Sequence, residues 1–165
     1  MMIDLIINTP PNIWIFLAIL LSMGYKATFP RTRSIFRLLI IPIIFLYMES
    51  RTTMTLFNID LITIMYNFVG LLFGVIIGII ITLNRKIIAD KEKYLIQLPG
   101  ENTTLLLIII NFLFQYLIHV LAYFKLPIFY EYSSLALIAM GIFSGISSGK
   151  AFTYLYKFKK LYITQ

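Results

Sequence analysis

The sequence predicts an all-α membrane protein: a five-transmembrane-helix bundle, N-terminus outside and C-terminus cytoplasmic, with a short cytoplasmic β-hairpin between helices 3 and 4. Three observations carry that expectation. The 165 residues are 60% hydrophobic and 13% charged, with mean hydropathy +0.90, whereas soluble domains lie nearer half apolar and a quarter charged. The apolar residues form five runs separated by short polar loops. Of the fourteen Lys and Arg, twelve fall on one side of such a bundle and only Arg51 and Lys125 on the other, the positive-inside asymmetry that orients short loops. One integral membrane domain, residues 1–165, accounts for the chain.

The first span is expected over residues 10–25. Asn8 or Thr9 would cap it, Pro10 and Pro11 suit a first helical turn, and Trp14 would anchor it at the outer interface. The start of the chain carries Asp4 and no basic residue, so it reads as an uncleaved helix rather than a secretory signal. A basic loop follows, with Lys26, Arg31 and Arg33. The second span, residues 34–48, holds Arg37 near its start and Pro42 in its middle, where a kink is expected. Glu49, Arg51 and Asp60 then read as an exposed outer turn.

The third span, residues 61–83, contains Gly70, Gly74 and Gly78, and ends at Asn84, Arg85 and Lys86. Residues 86–102 alternate apolar and polar stretches around a charged cluster, the pattern of a hairpin closed by Pro99-Gly100; an interfacial helix is the alternative. Asn102 or Thr103 would cap a fourth span over 103–124. The fifth, residues 130–158, contains Gly141, Gly145 and Gly149 and runs into Lys157, Lys159 and Lys160, cations suited to a helix C-terminus.

Glycines four residues apart strip one stripe of a helix and let a neighbouring backbone approach closely. The two ladders lie 71 residues apart, Gly70 to Gly141. The same step carries the second span onto the fourth, so spans two–three and four–five form a parallel internal repeat. Such repeats occur in transporters and also in bundles that transport nothing.

Chemistry has few places to reside. Asn111, Gln115 and His119 share one face of the fourth span. With Tyr116 alongside and Asn67, Ser144, Ser147 and Ser148 across the bundle, they form either hydrogen bonds between helices or a polar path. His119, the single histidine, would need a second ligand such as Met140 to hold haem, and reads better as structural or interfacial. The carboxylates are scattered through separate loops. No cysteine is present, which excludes disulfides and thiolate metal sites. No nucleophile elbow, metal-ligand spacing or phosphate-binding glycine loop occurs. No catalytic residue, metal or cofactor is therefore expected.

The formal charge of +7 is assigned to anionic lipid head groups, contacted by Lys26, Arg31, Arg33, Arg37, Arg85, Lys86, Lys157, Lys159 and Lys160. Nucleic acid is excluded for want of a basic patch interleaved with aromatics. A membrane-protein partner or a homo-oligomer is expected. The segment from Asn8 to Trp14, the basic loop before Arg37 and Pro42, Leu98-Pro99-Gly100 and the glycine-laddered last span resemble a family of small bacterial inner-membrane proteins carrying a domain of unknown function. More distantly, the layout is similar to CcdC-type membrane proteins. The resemblance implies location in the bacterial inner membrane and supplies no activity. The function these readings favour is a non-enzymatic accessory, assembly or scaffold role through helix packing; a small transporter or channel, or a membrane enzyme, are the alternatives.

Overall fold

Residues 11–85, 87–90 and 94–163 are described by a computed structural model. The elements in chain order are α1 (Pro11–Tyr25), β1 (Arg31–Ser34), a 3₁₀ segment (Ile35–Leu39), α2 (Ile40–Leu56), α3 (Leu61–Leu83), β2 (Ile88–Asp90), β3 (Leu95–Leu98), α4 (Thr103–Tyr123), α5 (Pro127–Glu131) and α6 (Ser133–Ile163). Helix dominates, and α3, α4 and α6 are long and apolar enough to cross a membrane. The expected caps Asn8 and Thr9 lie outside the described residues, as do Lys86 and residues 91–93.

The axis of the molecule is α6, and α3 lies along it. A Cβ built on Gly70, Gly74 or Gly78 would stand 2.1–2.3 Å from the carbonyl oxygens of Ile138, Ile142 and Ile146. One built on Gly141, Gly145 or Gly149 would stand 2.3 Å from those of Asn67, Leu71 and Val75. Backbone therefore packs on backbone, which no side chain at these positions permits. The contacts are reciprocal: residue 70 meets 138 as 141 meets 67, and the 71-residue step relates each pair. Two parallel helices thus share a local two-fold axis. The symmetry extends one turn further, because the Thr82 and Thr153 hydroxyls each donate to the glycine carbonyl four residues back, at 2.8 Å.

The two-fold stops at that seam. Strict symmetry would set α4 on α3 as α2 sits on α6; instead α2 and α4 both pack on α6, and α1 packs on α4. Burial follows this arrangement: 61% of the most apolar window of α6 is buried, against 17% for α3. Leu20, Phe45 and Ile108 join α1, α2 and α4 in one cluster. Ile118, Phe129, Leu137 and Met140 hold the short helix α5 against α4 and α6.

At the other end of the bundle Ile35, Ile96, Leu98, Tyr154 and Phe158 join a small sheet to the end of α6. The expected hairpin is present as β2 and β3, but β1 pairs with β3 as well, giving three antiparallel strands in the order β1-β3-β2. Tyr94, immediately before β3, has φ 50°. Pro99-Gly100 instead links β3 to α4 and docks on the first loop: a Cβ on Gly100 would stand 2.2 Å from the Thr28 carbonyl oxygen, and the Glu101 amide donates to that of Ala27 at 2.9 Å.

Other boundaries also differ from expectation. The second helix begins at Ile40 rather than 34 and continues to Leu56 rather than 48. Pro42 consequently lies in the first turn of α2, where no intrahelical N–H is lost, and the mid-helix kink has no cause there. Glu49 is buried in the helix rather than exposed in a turn, while Arg51 and Asp60 are exposed. Asp60 caps α3, its carboxylate accepting from the Thr63 amide at 2.7 Å. These hydrogen bonds to Thr63 hold the Asp60 carboxyl below its usual pKa. Asn102 makes no side-chain cap to α4; Thr104 donates to Glu101 at 2.7 Å instead. The last long helix starts at Ser133, after the separate turn of α5.

Candidate functional site

The polar residues singled out from sequence separate into two networks and an outlier. On α4, Asn111 and Gln115 are buried; the Gln115 amide donates to the Asn111 oxygen at 3.3 Å, and Thr52 of α2 donates to Gln115 at 3.0 Å. Asn67 of α3 donates to the Glu49 carboxyl at 2.5 Å. The Ser144 hydroxyl bridges the other Glu49 oxygen and the Met140 carbonyl, and Ser148 donates to the Ser144 carbonyl. His119, the outlier, is exposed, with Nδ1 2.8 Å from the Gln115 carbonyl oxygen. Tyr116 is half-buried and stacks on Phe112, ring centroids 6.5 Å apart. Asn111 and Gln115 thus bond to each other and to α2, and Asn67 and Ser144 bond to Glu49.

Glu49 is the member that sequence reasoning missed. A carboxyl in the apolar middle of a bundle is expensive unless hydrogen-bonded, and its partners come from two other helices, α3 and α6. The signal was available in those partners: Asn67 and Ser144 are polar positions within the two glycine-bearing helices.

The basic residues converge on a cavity beneath the sheet. Arg31 and Arg33 are two apart on β1, so they share one face; their cross-strand partners Leu98 and Ile96 are buried. That face looks onto α6. Arg37, Glu101, Lys150 and Tyr154 also line the cavity, whose volume is about 50 Å³. The floor is an ion pair: Lys150 donates to Glu101 at 2.5 Å and to the Thr104 hydroxyl at 3.0 Å, and both charged side chains are over nine-tenths buried. Burial works against the Glu101 carboxylate, but Lys150 and the Thr104 hydroxyl outweigh it and hold the carboxyl below its usual range.

The guanidiniums are less well compensated. Burial, then the adjacent Arg33, lower the Arg31 pKa to about 10; burial, then Arg37, lower that of Arg33. Arg31 Nη1 is buried without a hydrogen-bond acceptor. Glu101 Oε2 is likewise buried without a donor, and the cavity lining still carries more positive charge than this one carboxylate answers.

The remaining predicted cations have other places. Lys157 donates to the carbonyls of Thr82, Leu83 and Arg85 at 2.6–2.8 Å, closing the C-terminus of α3 from the neighbouring helix. Lys26, Arg85, Lys159 and Lys160 are exposed. Among the described residues no group of three His, Cys, Asp or Glu could hold a metal ion. Comparison with protein-family models, curated proteins and solved structures finds no match.

Proposed function

We propose that this chain is a multi-pass protein of the bacterial inner membrane, with five spans, N-terminus out and C-terminus in, and a non-enzymatic accessory, assembly or scaffold role. The observation that carries this reading is the α3–α6 seam, in which backbone packs against backbone over three successive glycine pairs. It fixes one long apolar face of α3 and leaves the rest, including Phe68, Phe73 and Ile80, exposed for lipid or a membrane partner. The polar groups inside the bundle are bonded to one another, which favours a packing role over a hydrated path. A traverse by α2 is supported by length: together with its 3₁₀ segment it spans about 35 Å at standard rises, close to a hydrocarbon core of about 30 Å.

The test is native mass spectrometry of the protein gently extracted from its own membrane. The expected result is a complex with another membrane protein. A bare monomer or small homo-oligomer would instead favour transport, and the Asn111–Gln115–His119 positions would then be probed for water access.

A further inference from the structure

The cavity under the sheet has the chemistry of an oxyanion site. Four cations line it, Arg31, Arg33, Arg37 and Lys150, against one carboxylate, Glu101, a formal excess of +3. That carboxylate binds Lys150 through Oε1 and its Oε2 is buried without a donor, so a single carboxylate faces all four cations. Arg31 Nη1, buried and unpaired, lacks an acceptor in particular, and a buried donor left without one is costly. We propose that this cavity binds a phosphate group, as the headgroup of an anionic lipid or as free phosphate.

The choice of phosphate follows from charge and shape. A phosphate monoester carries about −1.5 to −2 at neutral pH, nearer the excess than a single carboxylate, and guanidinium forks match its oxygens bidentately. A volume of about 50 Å³ equals the space of roughly four waters, the scale of one tetrahedral oxyanion. The walls indicate the source. Below the arginines the lining becomes apolar, with Leu38, Ile41, Phe45 and Leu107, so a headgroup held at the top would have its chain running along α2 and α4. Free phosphate would make no use of that wall. The site differs from general attraction to head groups because Lys150 and Glu101 are buried whereas Lys26, on the same side of the bundle, is exposed and outside the cavity.

The probes are dioctanoyl phosphatidic acid, dioctanoyl phosphatidylcholine and inorganic phosphate, each titrated into the full chain in non-ionic detergent and phosphate-free buffer. Binding is read by ³¹P NMR and by adducts in native mass spectrometry. Saturable binding of phosphatidic acid is expected, weakened about tenfold or more by Arg33→Gln or by Arg37→Gln and unchanged by Lys26→Gln. Arg37 is exposed, so its replacement leaves the fold intact and keeps the test valid if Arg33→Gln misfolds. Displacement of phosphatidic acid by equimolar inorganic phosphate would support the oxyanion site and reject the lipid as its source. Equal binding of phosphatidylcholine, equal loss with Lys26→Gln, or no saturable binding of either phosphate probe would overturn the proposal.

Discussion

Single side chains set the stability of both polar regions. In the Glu101–Lys150 pair both side chains are over nine-tenths buried, so removing one partner strands a charge, at about 3–5 kcal/mol, whereas replacing both with apolar groups is close to neutral. Glu101→Gln is therefore expected to lower the thermal midpoint in detergent, and Glu101→Gln with Lys150→Met to recover most of it; a double variant no better than the single would contradict the pairing. The sign with pH is fixed by the depressed Glu101 carboxyl. A folded pKa below the unfolded one adds stability that is whole above about pH 5 and is lost as pH falls through the folded value. Glu49 behaves differently, because hydrogen bonds rather than an ion pair hold it. Glu49→Gln keeps the shape and is expected to cost under about 1 kcal/mol, while Glu49→Leu leaves the Asn67 amide without its Glu49 acceptor at about 1–3 kcal/mol, Ser144 keeping the Met140 carbonyl; urea or thermal unfolding in detergent separates the two. Sequence exposed the polar character of Asn67, Asn111, Gln115 and Ser144 but not their grouping. Glu49 was hidden because a charge at the end of an apolar run reads as a loop, and only its partners on two other helices make it an interior residue.

At the scale of elements, the seam gives an unusual sign to a small substitution. Glycine to alanine in an exposed helix gains about 1 kcal/mol. At Gly145 the added Cβ would meet the Leu71 carbonyl oxygen at 2.3 Å and the Gly74 Cα at 2.8 Å, backbone atoms that yield only if the helices part. Gly145→Ala is expected to destabilise by about 1–3 kcal/mol, whereas Gly24→Ala, whose nearest atom is the movable Leu105 Cδ1, should cost less. Thermal unfolding compares them, and an alanine at 145 that stabilises would mean the ladder is not packed. Lys157→Met removes the donor to three carbonyls ending α3. Loss of about 0.3–1 kcal/mol and faster amide exchange around residues 82–85 are expected. The ladders were legible because a period of four is a local signal, and its extension to Thr82 and Thr153 could have been read the same way. The strand β1 was not. Arg31-Thr-Arg-Ser is a four-residue basic segment whose pairing depends on Leu95–Leu98, 64 residues onward, and no local pattern announces such a partner. Likewise the apolar run from Ile35 hides a change from 3₁₀ to α geometry at Leu39–Ile40.

The whole molecule is an axial helix, α6, with α3, α2 and α4 packed on it, α1 packed on α4, and a sheet at one end. Cations collect at the sheet end, where Arg31, Arg33, Arg37, Lys150 and Lys157 are all placed, while Asp60 and Lys125 lie at the other. The two shortest helices are α1, whose 15 residues rise about 22 Å, and α2, whose 17 rise about 26 Å and are extended by the preceding 3₁₀ segment. The chain has no cysteine, so single cysteines report on it directly. Thr32 and Asn58 are exposed and are separated by that 3₁₀ segment and α2. In intact cells an impermeant maleimide is expected to label Asn58→Cys at once and Thr32→Cys only after permeabilisation, with Ser144→Cys, buried in the seam, unlabelled in both conditions. The opposite order would keep the traverse but invert the orientation inferred from charge. Labelling of both loops from one side would mean that α2 does not cross, and the sheet could then no longer lie on the cytoplasmic face while the α2–α3 turn lies outside.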